Sequence, residues 1–205
     1  MIRNLRRKTL LAAAMLVAGA SLAGACNYHG ESLGVFGGNF RALYPKSSVV
    51  YFAIMDAVEQ GLLERSAFEP AASGGYWNAV ARLDEIARRL QAASMPGAPA
   101  MSLVFIESDL WARYESGPQG YAITVHTPGP RAGDVMVVTS EGGVAAMLDG
   151  RMPVKVGLDR GLIALDGEDA ARDAVERLLV AAFETRPPAS AGARNAPVRL
   201  FGPPR

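Results

Sequence analysis

Apolar residues recur every three or four positions in three segments of the chain, and this spacing predicts three amphipathic helices. The first helix is capped by Ser47 or Ser48 and stopped by Gly61. The second covers residues 76–93, and the last opens at Asp166 or Glu168. The apolar faces comprise, in chain order, Val49, Phe52, Ile54, Met55, Val58 and Leu62; Trp77, Val80, Leu83, Ala87 and Leu90; and Val175, Leu178, Leu179, Ala182 and Phe183.

Short apolar runs between the second and the last helix predict β-strands. Residues 101–106 form one run, and residues 110–114 and 121–126 flank a turn with Gly and Pro, which is typical of a β-hairpin. Residues 134–139 and 162–165 are further strands, separated by two short helices, of which the first is capped by Ser140 and the second spans 154–160. Trp77 and Trp111 are expected to anchor the core.

The start of the chain has the three parts of a secretory signal peptide. Four basic residues precede an uncharged run rich in Ala and Leu, which is followed by the small residues Ala23 to Ala25. The apolar run is short for a spanning helix, which needs roughly 20 apolar residues. We therefore expect residues 1–25 to be removed and the protein to be exported to the periplasm.

The single cysteine, Cys26, falls at the expected cleavage point. The preceding residues resemble a bacterial lipobox, in which the cysteine receives a diacylglycerol lipid and becomes the first residue. Ala23 stands where that family pattern prefers Leu, so ordinary cleavage to a soluble form is the alternative. We expect lipidation of Cys26, and with it a lipoprotein anchored in the membrane. Stable anchoring takes more than one acyl chain, such as palmitate.

The basic start permits two routes of export. Residues 6–10, Arg-Arg-Lys-Thr-Leu, resemble a twin-arginine motif, although Thr9 replaces the usual aromatic residue. A merely basic segment for general export is the favoured alternative.

Composition excludes several classes of protein. The whole chain has 21 basic and 20 acidic residues, and without the signal 17 basic residues face 20 acidic ones. This balance gives no support for nucleic-acid binding. One cysteine excludes an internal disulfide framework.

Five segments divide the chain. After the signal at 1–25, residues 26–46 are Gly-rich and irregular, residues 47–75 are helical, and residues 76–184 form an α+β domain. Residues 185–205 are rich in Pro, Gly, Ala and Arg without apolar periodicity, which predicts a disordered tail.

Residues 134–183 resemble the C-terminal half of sterol-carrier-protein-like domains, and the order of the preceding helix and hairpin extends the resemblance to residues 76–184. The resemblance rests on Thr139-Ser-Glu141, on Met147-Leu-Asp-Gly-Arg151, and on the glycine-bounded strand from Gly161 to Gly167, followed by the last amphipathic helix. It implies a fold in which helices cover a twisted sheet around an apolar tunnel for acyl or sterol-like ligands. The expected fold class is α+β, with the N-terminal helical segment packed on a small mixed or antiparallel sheet covered by helices.

The resemblance also implies a non-enzymatic protein without a cofactor that binds an apolar small molecule or acts as an accessory factor. Met147 and Leu158 are candidate ligand-binding residues, because they lie on the short helices that cap the sheet in that family. The alternative is that these side chains pack a dry core. A structural lipoprotein with an unknown protein partner is a further alternative.

Two other kinds of chemistry are alternatives to the binding of an apolar ligand. Cys26 and His29 have a spacing that suits a soft metal ion, so a metal or redox accessory protein is the rival class. A hydrolase built on Ser140, Glu141 and His126 is imaginable. Ser140 does not stand in a Gly-x-Ser-x-Gly elbow, and it is better explained as a helix cap.

Overall fold

The computed structural model describes residues 43–65, 75–93, 97–117, 120–184 and 199–200. Helices and strands follow one another in a mixed order within these ranges. In sequence they are α1 (Lys46–Glu59), α2 (Gly75–Ala93), β1 (Met101–Phe105), β2 (Leu110–Gly117), β3 (Gly120–Val125), β4 (Val135–Thr139), α3 (Glu141–Leu148), α4 (Val154–Asp159), β5 (Ile163–Asp166), α5 (Asp169–Glu184) and β6 (Arg199–Leu200).

The strands form one mixed sheet with the order β5-β4-β1-β2-β3-β6. β1 and its neighbour β4 are parallel and in register from Met101 beside Val135 to Phe105 beside Thr139. The pairs β1–β2, β2–β3 and β4–β5 are antiparallel. Every residue of β1 and β4 is buried, so both faces of the sheet are covered at its centre.

Two aromatic residues of β2 identify what covers each face. The hydroxyl of Tyr114 donates to the backbone oxygen of Leu83 in α2 at 3.0 Å. Trp111 lies three residues earlier and therefore points to the opposite face. Its ring lies 5.1 Å from that of Tyr44, just before α1. Helix α2 consequently covers one face and α1 the other.

The helices α2 to α5 form one group on the Tyr114 face. Within this group α2 packs on α3 and α5, α4 packs on α3 and α5, and α2 also packs on β3. We call the region between these four helices and the sheet the apolar layer. Its sheet side includes Met101, Leu103 and Phe105, which share the face of Tyr114 through the pairing of β1 with β2.

The predicted fold class is confirmed, because a helical segment, α1, packs on a mixed sheet whose other face carries the remaining helices. The hairpin, the two short helices and the last helix also occur where the sequence predicts them. In α5 the buried residues Val175, Leu178, Leu179 and Ala182 belong to the predicted apolar face.

Two expectations about buried side chains were wrong. In α1 the buried stripe is Val50, Ile54 and Ala57, whereas Val49 and Phe52 are exposed. The helix is apolar over so wide an arc that its sequence does not define which stripe meets the sheet. Trp77 is 63% exposed because it lies in the first turn of α2, outside the stripe that contacts β3. Trp111 is buried as expected.

The C-terminal segment 185–205 contains one short element within the described residues. Arg199–Leu200 pairs with Thr124 and Val125 as β6, although the whole segment was predicted to be a disordered tail. The physical reason is that β3 offers unpaired backbone groups along its outer side.

Among the helices that the structure describes, none is both long enough and apolar enough to cross a membrane.

Candidate functional site

The carboxyl ends of β1 and β4 lie side by side and bring two glutamates together. Phe105 and Thr139, the last residues of these parallel strands, are paired. The chain continues from β1 into a turn that contains Glu107 and Ser108, and from β4 into α3, whose first residue is Glu141. Polar residues that are distant in sequence therefore meet at one edge of the sheet.

Hydrogen bonds join these two segments in both directions. The backbone N–H of Glu141 donates to both carboxyl oxygens of Glu107, at 3.1 and 3.2 Å. The hydroxyl of Ser108 donates to Oε1 of Glu141 at 2.7 Å. Nη1 of Arg82 in α2 lies 3.4 Å from Oε2 of Glu141. We call Glu107, Ser108 and Glu141 the carboxyl clasp, because they hold the β1–β2 turn against α3.

The charge state of the clasp at neutral pH follows from the burial of Glu107. Burial raises the pKa of Glu107 from 4.5 to about 8, and the nearby carboxylate of Glu141 also raises it, while backbone N–H donors oppose the shift. Glu107 is therefore largely protonated at pH 7. Its protonation avoids placing two negative charges together in a buried site.

The same edge of the sheet holds two residues with strained backbone. Asp109 (φ 50°) and His126 (φ 65°) are the non-glycine residues with positive φ in the described ranges. Both are bonded to Trp111, whose Nε1 donates to Oδ1 of Asp109 at 2.9 Å and whose backbone oxygen accepts the N–H of His126 at 2.9 Å. Burial raises the pKa of Asp109 from 3.8 to about 6, although the hydrogen bond from the indole of Trp111 acts to lower it. Such strain costs of order 1–3 kcal/mol per residue and persists where surrounding bonds fix it.

Ser140 has the structural role that its position predicts. Its Oγ accepts the backbone N–H of Gly143 at 2.9 Å, and its own backbone is extended, as in an N-cap. This bond accounts for Ser140 without a role as a nucleophile. The arrangement at this edge is that of a helix start fixed by hydrogen bonds.

The predicted ligand-binding residues lie on the helices that border the apolar layer. Met147 in α3 is buried, at 3% exposure, and Leu158 in α4 is half-buried and packs against the core. The two helices approach each other where Gly157 faces Met147. A Cβ at position 157 would lie 3.0 Å from Sδ of Met147 and 3.7 Å from Cδ1 of Ile163. The glycine therefore leaves room for the methionine side chain between α4 and β5.

The predicted lipidation and metal-binding residues, Cys26 and His29, lie outside the described residues. Within the ranges that the structure describes, no group of three or more His, Cys, Asp and Glu side chains is arranged to hold a metal ion.

Glu107 is not among the site residues predicted from the sequence. A signal was present, because the apolar run 101–106 is followed directly by Glu107, Ser108 and Asp109 before the chain becomes apolar again at Leu110. Carboxyl groups directly after a buried strand are candidates for a polar site at the edge of a sheet. Their partner, Glu141, is identifiable only once β1 and β4 are known to be parallel neighbours.

No protein-family model and no curated protein matches this sequence. Three solved structures show partial similarity. The crystal structure of sterol carrier protein 2 is 17% identical, covers 52% of this chain and 93% of its own, and has a TM-score of 0.37. A conserved hypothetical protein from Thermus thermophilus, described as a possible sterol carrier protein, is 19% identical over 60% of this chain and 95% of its own, with a TM-score of 0.33.

The third structure is the stereoselective inverting sec-alkylsulfatase from a Pseudomonas species. It is 11% identical, with a TM-score of 0.34, over 45% of this chain. The similarity extends over 13% of the alkylsulfatase chain.

Proposed function

We propose that the protein is a non-enzymatic carrier that binds an apolar acyl or sterol-like ligand in the apolar layer. The observation that carries this proposal is the packing of Met147 against Gly157, between α3, α4 and the sheet. Methionine is unbranched and polarisable, so its side chain changes rotamer readily and adapts to irregular apolar partners. The resemblance in the sequence implies an apolar tunnel bordered by these same two helices.

The residues around the layer suit binding of a ligand by its apolar surface. Leu83 and Leu90 of α2 and Leu103 and Phe105 of β1 are buried there. An acyl chain of about sixteen carbons gains roughly 12 kcal/mol when its methylene groups leave water. Association costs of about 4 kcal/mol or more reduce this gain to a value that corresponds to micromolar binding.

Replacing Met147 by Trp tests this proposal. The larger side chain would occupy space that a ligand needs, without adding charge. We expect weaker binding of a fluorescent fatty acid, measured by titration, while the melting temperature stays close to that of the wild-type protein.

A matched control is available on the other face of the sheet. Met55 is half-buried in α1, and Met55→Trp should leave binding of the fatty acid unchanged. In a dry, filled core Met147→Trp would instead overpack the protein and cost about 1–3 kcal/mol of stability. A wild-type protein that binds no acyl probe at micromolar concentration would sink the carrier proposal.

We also propose that this carrier works in the bacterial envelope, anchored through lipid on Cys26. The support lies in the sequence, where a basic start, an apolar run and small residues precede the single cysteine. A carrier of apolar molecules at a membrane surface has its source of ligand close by.

Replacing Cys26 by Ser should abolish labelling by a fatty-acid probe and release the protein from membranes, because the thiol that carries the lipid is gone. Labelling and membrane fractionation in the native host measure both effects. His29→Ala, three residues later, should leave label and partition unchanged. A wild-type protein that takes no label would instead favour cleavage by the ordinary signal peptidase.

A further inference from the structure

Two buried tyrosines on the same face of the sheet differ in how their hydroxyl groups are satisfied. Tyr114 in β2 is paired with Ile123 in β3, and Tyr121 lies two residues before Ile123. Tyr114 and Tyr121 therefore both point into the apolar layer. The Tyr114 hydroxyl donates to the backbone of Leu83, whereas the buried Tyr121 hydroxyl has no hydrogen-bond partner among the described residues.

The Tyr121 hydroxyl has little access to bulk water. The residue is 4% exposed, and burial raises the pKa of its phenol. At its chain neighbour Gly120, the side chain of Gln91 lies so close that a Cβ would overlap it. Ser116, the residue opposite Tyr121, is already bonded, because its hydroxyl donates to the backbone oxygen of Ala98 at 2.9 Å.

A buried hydroxyl without a partner is unfavourable, so folded proteins pair nearly all such groups with protein or with bound molecules. Besides Tyr121, the buried side chains that α2 and β3 contribute to this layer include the apolar residues Leu83, Ala87 and Leu90 of α2 and Ile123 of β3. One unpaired hydroxyl within apolar walls matches a ligand that has an apolar body and one polar group.

We propose that Tyr121 is the polar anchor of the ligand site and that it hydrogen-bonds the head group of an amphipathic ligand whose tail lies along α2 and β3. This inference rests on the proposed carrier function and narrows its ligand class to molecules with a hydroxyl or carboxyl at one end. The phenol can donate to either group and can accept from a hydroxyl.

The test compares two ligands that differ in the polar group alone. Binding of 1-decanol and of decane, each added from an ethanol stock, is measured by displacement of a fluorescent fatty acid from the wild-type protein and from Tyr121→Phe. We expect Tyr121→Phe to weaken binding of 1-decanol about five- to tenfold, the value of one hydrogen bond, and to leave decane unchanged. Tyr51→Phe in α1, outside the layer, is the matched control and should change neither affinity.

The outcomes separate this inference from the function on which it rests. If both ligands bind and Tyr121→Phe changes neither affinity, the anchor is wrong, water alone satisfies the hydroxyl, and the carrier function stands. If the wild-type protein binds neither ligand, both proposals fall. Without ligand, Tyr121→Phe should melt at or above the temperature of the wild type, since it removes an unpaired group. A clearly lower melting temperature would mean that the hydroxyl has a partner within the folded protein, and would overturn the anchor.

Discussion

Replacing Glu107 by Gln is expected to make the protein more stable than the wild type at pH 9 and to change its stability little at pH 4.5. Glutamine has nearly the shape of the protonated glutamic acid and keeps one oxygen to accept the N–H of Glu141. Chemical unfolding at a series of pH values measures the difference.

The sign follows from the raised pKa of Glu107, which is about 8 in the folded protein against an ordinary value of 4.5. Between these two values the folded state keeps a proton that the unfolded state releases, so the free energy of unfolding falls as the pH rises. The loss is complete above about pH 8. The full shift corresponds to a loss of order 5 kcal/mol, which Glu107→Gln removes.

Glu59→Gln is the matched control, because Glu59 is exposed at the end of α1 and the same change there should have no such effect. The half-buried Asp109 leaves a smaller pH dependence of the same sign in both variants, at lower pH. A Glu107→Gln protein whose stability still falls between pH 6 and 9 as steeply as that of the wild type would contradict the protonated clasp.

Replacing Leu178 by Ala is expected to lower the free energy of unfolding by about 2–5 kcal/mol, through lost transfer energy and the cavity left behind. Leu178 is 0% exposed on the face of α5 that packs on α2 and the sheet. Denaturant unfolding at pH 6 gives the value directly.

A leucine-to-alanine change at the protein surface is the control for Leu178→Ala. Leu43 is 69% exposed, and Leu43→Ala should change the free energy of unfolding by less than about 0.5 kcal/mol. Equal losses in the two variants would mean that α5 does not bury the face on which Leu178 lies.

The helices with one narrow apolar stripe could be predicted from the sequence. In α5, Val175, Leu178 and Ala182 fix the buried side because charged residues such as Arg177 and Glu184 lie on the opposite side. In α1 this logic fails, since apolar residues surround most of the helix and several stripes would serve. The stripe that is buried, Val50 with Ile54, is selected by the sheet, and the sheet is assembled from residues far along the chain.

The candidate site could be predicted only in part. Met147 could be predicted as a ligand-binding residue through a resemblance. Its position on a short helix before a glycine turn can be recognised from the residues next to it in the sequence. Glu107 and Tyr121 become distinctive through what surrounds them in three dimensions. Glu107 is a carboxyl group next to a second glutamate, and Tyr121 has a hydroxyl without a partner among the described residues. Neither property is encoded by neighbours in the chain.

The pairing of β1 with β4 has a consequence for the order in which the protein folds. Gly117 pairs with Gly120, three residues later in the chain, whereas Met101 pairs with Val135 across the whole intervening hairpin. Closing the longer loop costs more chain entropy, so we expect β2 and β3 to associate before β4 docks beside β1. Until then β1, which is fully buried in the folded protein, has an open edge, and such an edge is a template for aggregation. Pulsed hydrogen exchange during refolding should find amide protection in β2–β3 first, and simultaneous protection of all strands would contradict this order.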